Sequence, residues 1–66
     1  MEILLNGERR KVADGLSAAE LVESLGLAGR RYAMEINGEL VPRSSHSTHH
    51  LKPGDRVEIV HAVGGG

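Results

Sequence analysis

The sequence predicts an α+β domain in two layers: a mixed sheet of four or five strands with one helix packed on one face. Three observations predict it. Apolar and polar residues alternate with the period of a half-buried strand at the start of the chain and again near its end. Two Asn-Gly pairs, Asn6-Gly7 and Asn37-Gly38, mark tight hairpins, because both residue types tolerate positive φ. Between them lies a single segment with the capping and periodicity of a helix. One helix covers one sheet face, so the opposite face is expected to meet solvent or a partner.

In chain order, Met1, Ile3 and Leu5 alternate with Glu2, Leu4 and Asn6, a first strand with the odd-numbered residues inward. After Asn6-Gly7 a return strand is expected over about Glu8 to Ala13, with Val12 its clearest inward residue and Asp14-Gly15 ending it. Ser17 and Glu20 have the spacing of a capping box, and Leu16 and Leu21 stand at the positions of a hydrophobic staple. Ala18, Leu21, Val22 and Leu25 repeat at i, i+3, i+4 and i+7, which places a helix over Ala18 to Leu25. Gly26 is suited to a left-handed stop, with Leu27 folding back on the last turn. Ala28 to Arg31 connects to a strand carrying Met34 and Ile36 inward. Asn37-Gly38 turns that strand into Glu39-Leu40-Val41, and Pro42, lacking an amide donor, ends it. Arg43 to His50 shows no apolar period and reads as a loop with one irregular turn. Leu51 pins its far end, Pro53-Gly54-Asp55 turns the chain, and Arg56 to Val63 forms a long final strand returning beside the first.

Sixty-six residues make one small domain, residues 1–66, with no room for a second core. That core is aliphatic, built from eight Leu, six Val and three Ile around a lone aromatic, Tyr32. There is no cysteine, which excludes a disulfide framework, a thiolate zinc site and a cysteine nucleophile. The opening residues do not resemble a signal peptide, and no apolar run approaches the roughly 20 residues of a membrane span. A reducing, cytoplasmic setting is expected. Eight basic and nine acidic residues give a net charge of −1 with interspersed signs, a poor match to a nucleic-acid footprint. Arg9, Arg10 and Lys11 read as an exposed strand edge rather than a phosphate site.

The segment Val63-Gly64-Gly65-Gly66 raises the question of function. Terminal glycines are often only a frayed tail, since glycine loses the most entropy on ordering. Here they follow a strand directly and, with Gly66 as the terminus, end in a free carboxylate with no polar spacer. About four extended residues reach roughly 13 Å beyond the body of a domain. A flexible tail of Gly64, Gly65 and Gly66 suits a slot too narrow for any Cβ. A carboxylate is an unreactive acyl group and needs activation, most simply by attack on the α-phosphate of ATP. Displacement of AMP by a sulfur donor then leaves a terminal thiocarboxylate. A chain without cysteine has no thiol of its own to intercept the activated group.

The opening strand into Asn6-Gly7, the helix SAAELVESL, the segment AMEINGELVPR and the ending LKPGDRVEIVHAVGGG together resemble the ThiS family of thiamin-biosynthesis sulfur carriers, over nearly the whole chain. The resemblance implies a ubiquitin-like β-grasp fold and a carrier rather than an enzyme. It implies adenylation of Gly66 by a ThiF-type enzyme that consumes ATP, with no cofactor bound by the chain itself. It implies sulfur supplied by a system such as a cysteine desulfurase, and donation to a thiazole synthase of the ThiG type. Gly65 and Gly66 are the positions that carry over; Gly64 has a supporting role. A carrier of another pathway, of the molybdopterin or tRNA-thiolation type, stays open as an alternative, with the length and the NG, VPR and GD pattern favouring thiamin. An inert β-grasp binding module is the third reading.

A docking surface follows from strand alternation. Val57 and Ile59 point inward in the last strand, leaving Glu58, Val60 and Ala62 on the uncovered face, where Leu4 joins them; Val63, beside the tail, is counted with them. Several exposed aliphatics next to a reactive tail suggest a partner patch, although scattered surface aliphatics are common. His46, His49 and His50 invite a metal reading, but no carboxylate lies among them and no helical pattern fixes them. Solvated loop histidines are the expectation, with no metal site. His61 is expected on the last strand near the tail. Ser44, Ser45 and Ser47 neighbour histidines only in sequence, with no nucleophile turn and no acid to orient a base.

Overall fold

The computed structural model describes residues 1–61. Its elements are β1 (Glu2–Leu5), β2 (Glu8–Lys11), α1 (Ala18–Ser24), β3 (Tyr32–Ile36), β4 (Glu39–Leu40), a 3-10 turn (Arg43–Ser45) and β5 (Arg56–His61). The five strands form one sheet in the order β2-β1-β5-β3-β4. Strand β5 occupies the centre, parallel to β1 and antiparallel to β3. The expected return beside the first strand is therefore what forms. Arg9, Arg10 and Lys11 lie on β2, the outer strand, and are exposed.

The core gathers Ile3, Met34, Ile36, Val57 and Ile59 from the sheet and Ala18, Leu21 and Val22 from the helix. Val41 and Leu51, which flank the 43–50 connection, close it. Met1, Leu5, Val12, Leu16, Leu25 and Leu27 pack around its margin. Strand β2 stops at Lys11, two residues short of the expected Ala13. Val12 donates its amide to the Met1 carbonyl at 2.9 Å and packs on the core from just outside the strand.

Helix α1 starts as its sequence demands. The Glu20 amide donates to Ser17 Oγ at 3.1 Å and the Ser17 amide to Glu20 Oε1 at 3.0 Å, the reciprocal pair of a capping box. The next two unpaired amides of the first turn are met from outside the helix: Ala18 donates to the His49 carbonyl at 2.8 Å and Ala19 to that of His46 at 3.0 Å. The 46–49 segment is thus docked on the helix start. At the other end Gly26, at φ 73°, donates to the Glu23 carbonyl, and Leu27 to that of Val22, both at 3.0 Å. This pairing is a Schellman stop, and glycine, without a Cβ, meets its backbone angle at the least cost.

The 43–50 connection corrects one expectation. His49 is half-buried and His50 exposed, but His46 is only 4% exposed. Its Nε2 lies 3.0 Å from the Val41 carbonyl and its Nδ1 2.8 Å from the Tyr32 hydroxyl. A carbonyl only accepts, so Nε2 carries the proton; in the neutral ring Nδ1 then accepts from Tyr32. The two rings stack at 5.5 Å, and the Arg43 guanidinium sits over the Tyr32 ring, 4.6 Å from its centroid, donating to the Arg30 carbonyl at 2.6 Å. His46 is a structural side chain with both nitrogens occupied, because Tyr32 and Val41 converge on it from elsewhere in the chain.

Candidate functional site

The uncovered face of the sheet is built by register. Leu4 pairs with Arg56 across β1 and β5, so two-residue alternation puts Glu58 and Val60 on the same side as Leu4. Across β5 and β3, Glu58 faces Glu35 and Val60 faces Ala33; across β3 and β4, Glu35 faces Leu40. Val60 is 72% exposed and Leu40 68%, the two large aliphatics most open to solvent among the described residues. Leu4 is half-buried and Glu58 exposed. An open hollow bounded by Leu4, Asn6, Gly7, Arg56 and Glu58 lies along the β1 side of the same surface. Three of the sequence-derived docking residues, Leu4, Glu58 and Val60, are brought onto one face. Ala62, Val63, Gly64, Gly65 and Gly66 lie outside the described residues.

Leu40 belongs to this face although sequence reasoning did not name it. The signal was present: a two-residue Asn-Gly loop pairs Ile36 with Glu39 and Glu35 with Leu40, so an inward Ile36 forces Leu40 outward. The face also opposes two like charges. Glu35 and Glu58 are directly paired across β3 and β5, and among the described residues neither joins an ion pair. Such an arrangement works against sheet stability.

Two asparagines that the sequence marks only as turn formers hold β5 in place. Asn37, at φ 53°, accepts the Arg56 amide on Oδ1 at 2.9 Å and donates from Nδ2 to Asp55 Oδ1 at 3.0 Å. Asn6, at φ 50°, accepts the Ile59 amide on Oδ1 at 2.8 Å and donates from Nδ2 to the Ile59 carbonyl at 3.3 Å. Both residues use the positive φ of a hairpin turn; Asn6 gives both ends of its carboxamide to the central strand, and Asn37 gives its oxygen to the first residue of that strand and its amide to the Asp55 carboxylate just before it. The strand that leads toward the terminal glycines is therefore gripped at its start and beyond its middle.

A central strand parallel to the first, a hairpin on either side and one helix crossing a single face define a ubiquitin-like β-grasp protein. Comparison with known proteins narrows this further. The family model described as "ThiS family" matches residues 3–66, and the chain belongs to the ThiS family. The sulfur carrier protein ThiS of Escherichia coli is 32% identical over 66 residues, covering all of both chains. The crystal structure of the thiamine biosynthesis protein ThiS from Geobacter metallireducens superposes with a TM-score of 0.84 at 33% identity, again over all of both chains. A thiazole synthase of Paramagnetospirillum magneticum is 38% identical over 66 residues; the chain spans 20% of the length of that relative. No helix among the described residues is long and apolar enough to cross a membrane.

Proposed function

We propose that this chain is a sulfur carrier of thiamin biosynthesis, and that the Gly66 carboxylate, taken as the terminus, is the group that is charged. The observation that carries the reading is the family match, which runs through the terminal glycines to residue 66. Full-length similarity to the Escherichia coli sulfur carrier supports it. The chain acts as a co-substrate, and partner enzymes supply the catalysis.

A carboxylate oxygen of Gly66 attacks the α-phosphate of ATP on a ThiF-type enzyme, forming an acyl adenylate and releasing pyrophosphate. The outer sulfur of a persulfide, delivered by a system such as a cysteine desulfurase, then displaces AMP to form an acyl disulfide, and a thiol cleaves its S–S bond, leaving the thiocarboxylate and a new disulfide. Gly64, Gly65 and Gly66 enter the partner's active site as a tail with no Cβ to obstruct a narrow channel, while residues 1–66 act as one domain. Leu4, Glu58, Val60, Ala62 and Val63, with Leu40, provide the docking surface. The thiocarboxylate passes its sulfur to a ThiG-type thiazole synthase, a partner supported by the ThiS-like stretch within the Paramagnetospirillum magneticum thiazole synthase. The setting is the cytoplasm, where ATP is available, with neither nucleic acid nor membrane as a partner.

Adenylation is reversible, so isotope exchange between pyrophosphate and ATP tests the first step. Exchange should depend on this chain and disappear when Gly66 is removed. Exchange that persists without Gly66 contradicts the assignment of the acyl site.

A further inference from the structure

Strand β1 ends too early to hold β5. Its last ladder pair is Leu5 with Val57, yet β5 continues to His61. The Asn6 amide adds one more bond, to the Val57 carbonyl at 2.8 Å. Beyond that point, among the described residues, the β1-side edge of β5 has no strand beside it, while β3 holds the other edge.

The Asn6 carboxamide fills the gap. It presents a donor and an acceptor to the main chain of one residue, Ile59, on the edge of β5 that β1 leaves open beyond Val57. The residue type is narrowly determined. The turn needs φ near 50°, which Asn, Asp and Gly accept at low cost. Of these only Asn offers both a donor and an acceptor. Aspartate accepts the Ile59 amide but sets a second anionic oxygen against the Ile59 carbonyl; glycine forms the turn and contacts nothing.

We propose that Asn6 is a positioning residue for the chemistry at the chain terminus: by clamping Ile59 it fixes the direction in which β5 delivers the residues after His61 to the adenylating enzyme. The inference rests on the carrier reading given above. A tail leaving a fixed strand end starts from one direction; without the clamp, only the fraction of molecules with β5 suitably placed is competent, and apparent affinity falls by that fraction.

The test uses the full chain in three forms, wild type, Asn6→Gly and Asn6→Asp, with a ThiF-type enzyme and ATP. Hydrogen exchange reads the clamp at the Ile59 amide, and steady-state adenylation reads KM for the carrier separately from kcat. For Asn6→Gly the turn and fold persist. Ile59 protection is expected to fall about tenfold, the equivalent of one net hydrogen bond. KM should rise several-fold while kcat stays within about twofold, since chemistry on the bound terminus is unchanged. Asn6→Asp, which keeps the bond to the Ile59 amide, should recover part of the protection and part of the KM. Lost protection with an unchanged KM overturns the positioning role and leaves the carrier reading intact. A wild-type chain that is not adenylated at all overturns both.

Discussion

Tyr32 and His46 form one unit: hydroxyl and Nδ1 are 2.8 Å apart, the rings are stacked, and the far side of the imidazole is bound to the Val41 carbonyl. This unit ties the 43–50 connection to β3, and the connection in turn supplies carbonyls to the start of α1. Tyr32→Phe keeps the ring and removes the hydroxyl, leaving a buried imidazole nitrogen without a partner. The expected loss is about 1–3 kcal/mol, the cost of an unsatisfied buried polar group. Chemical denaturation of the two proteins measures it, and adenylation of the folded variant should be unaffected.

The elements written in the sequence are those specified by neighbours. Helix α1 was legible because its start and stop each depend on residues within a few positions, Ser17 with Glu20 and Val22 with Leu27. The hairpins were legible because Asn-Gly selects the turn. The open face was legible as far as alternation along β1 and β5 reached. His46 was not, since its burial depends on Tyr32 and Val41 closing over it, and the composition of its own segment is that of a solvated loop. Nor was the second role of Asn6, whose partner Ile59 lies 53 residues away. Contacts set by the topology leave no local pattern to read.

Replacing Ser17 by Ala removes the hydroxyl that caps α1 and is expected to cost about 1 kcal/mol. A thermal melt of the variant beside the wild type checks this.

Glu20 makes the cap depend on pH. Its carboxyl is held below the usual carboxylate range, first by the Ser17 backbone amide and then by the Ser17 side chain, with a smaller contribution from the charge of His50 and a partial opposing effect of desolvation. A carboxylate whose folded-state value is depressed adds stability that is fully present above its unfolded value and lost as pH falls through the folded one. Melting midpoints measured from neutral pH down through the carboxylate range should therefore fall more steeply for the wild type than for Glu20→Gln. Parallel curves would show that the cap carries no charge dependence.

Leu21 is 0% exposed, at the centre of the helix–sheet contact. Leu21→Ala should cost about 2–5 kcal/mol through lost burial and the cavity left behind. A small core supplies only about 3–5 kcal/mol in total. The variant is therefore expected to lose half or more of its stability, read as a much lower melting midpoint by far-ultraviolet circular dichroism.

On the open face stability and docking separate. Val60→Asp changes an exposed position, so the melting midpoint should move little, within about 0.5 kcal/mol. Association with the adenylating enzyme should weaken at least tenfold by calorimetry. Glu35→Gln removes one of two opposed carboxylates and should raise the midpoint of the free chain.

The carrier reading requires the backbone end itself to be the reacting group. The mass of the intact chain after incubation with a ThiF-type enzyme, ATP and a sulfur source tests this most directly. Replacement of one terminal oxygen by sulfur should add about 16 Da, localised to the C-terminal peptide. An unchanged mass, under conditions where a control sulfur carrier is converted, would contradict it.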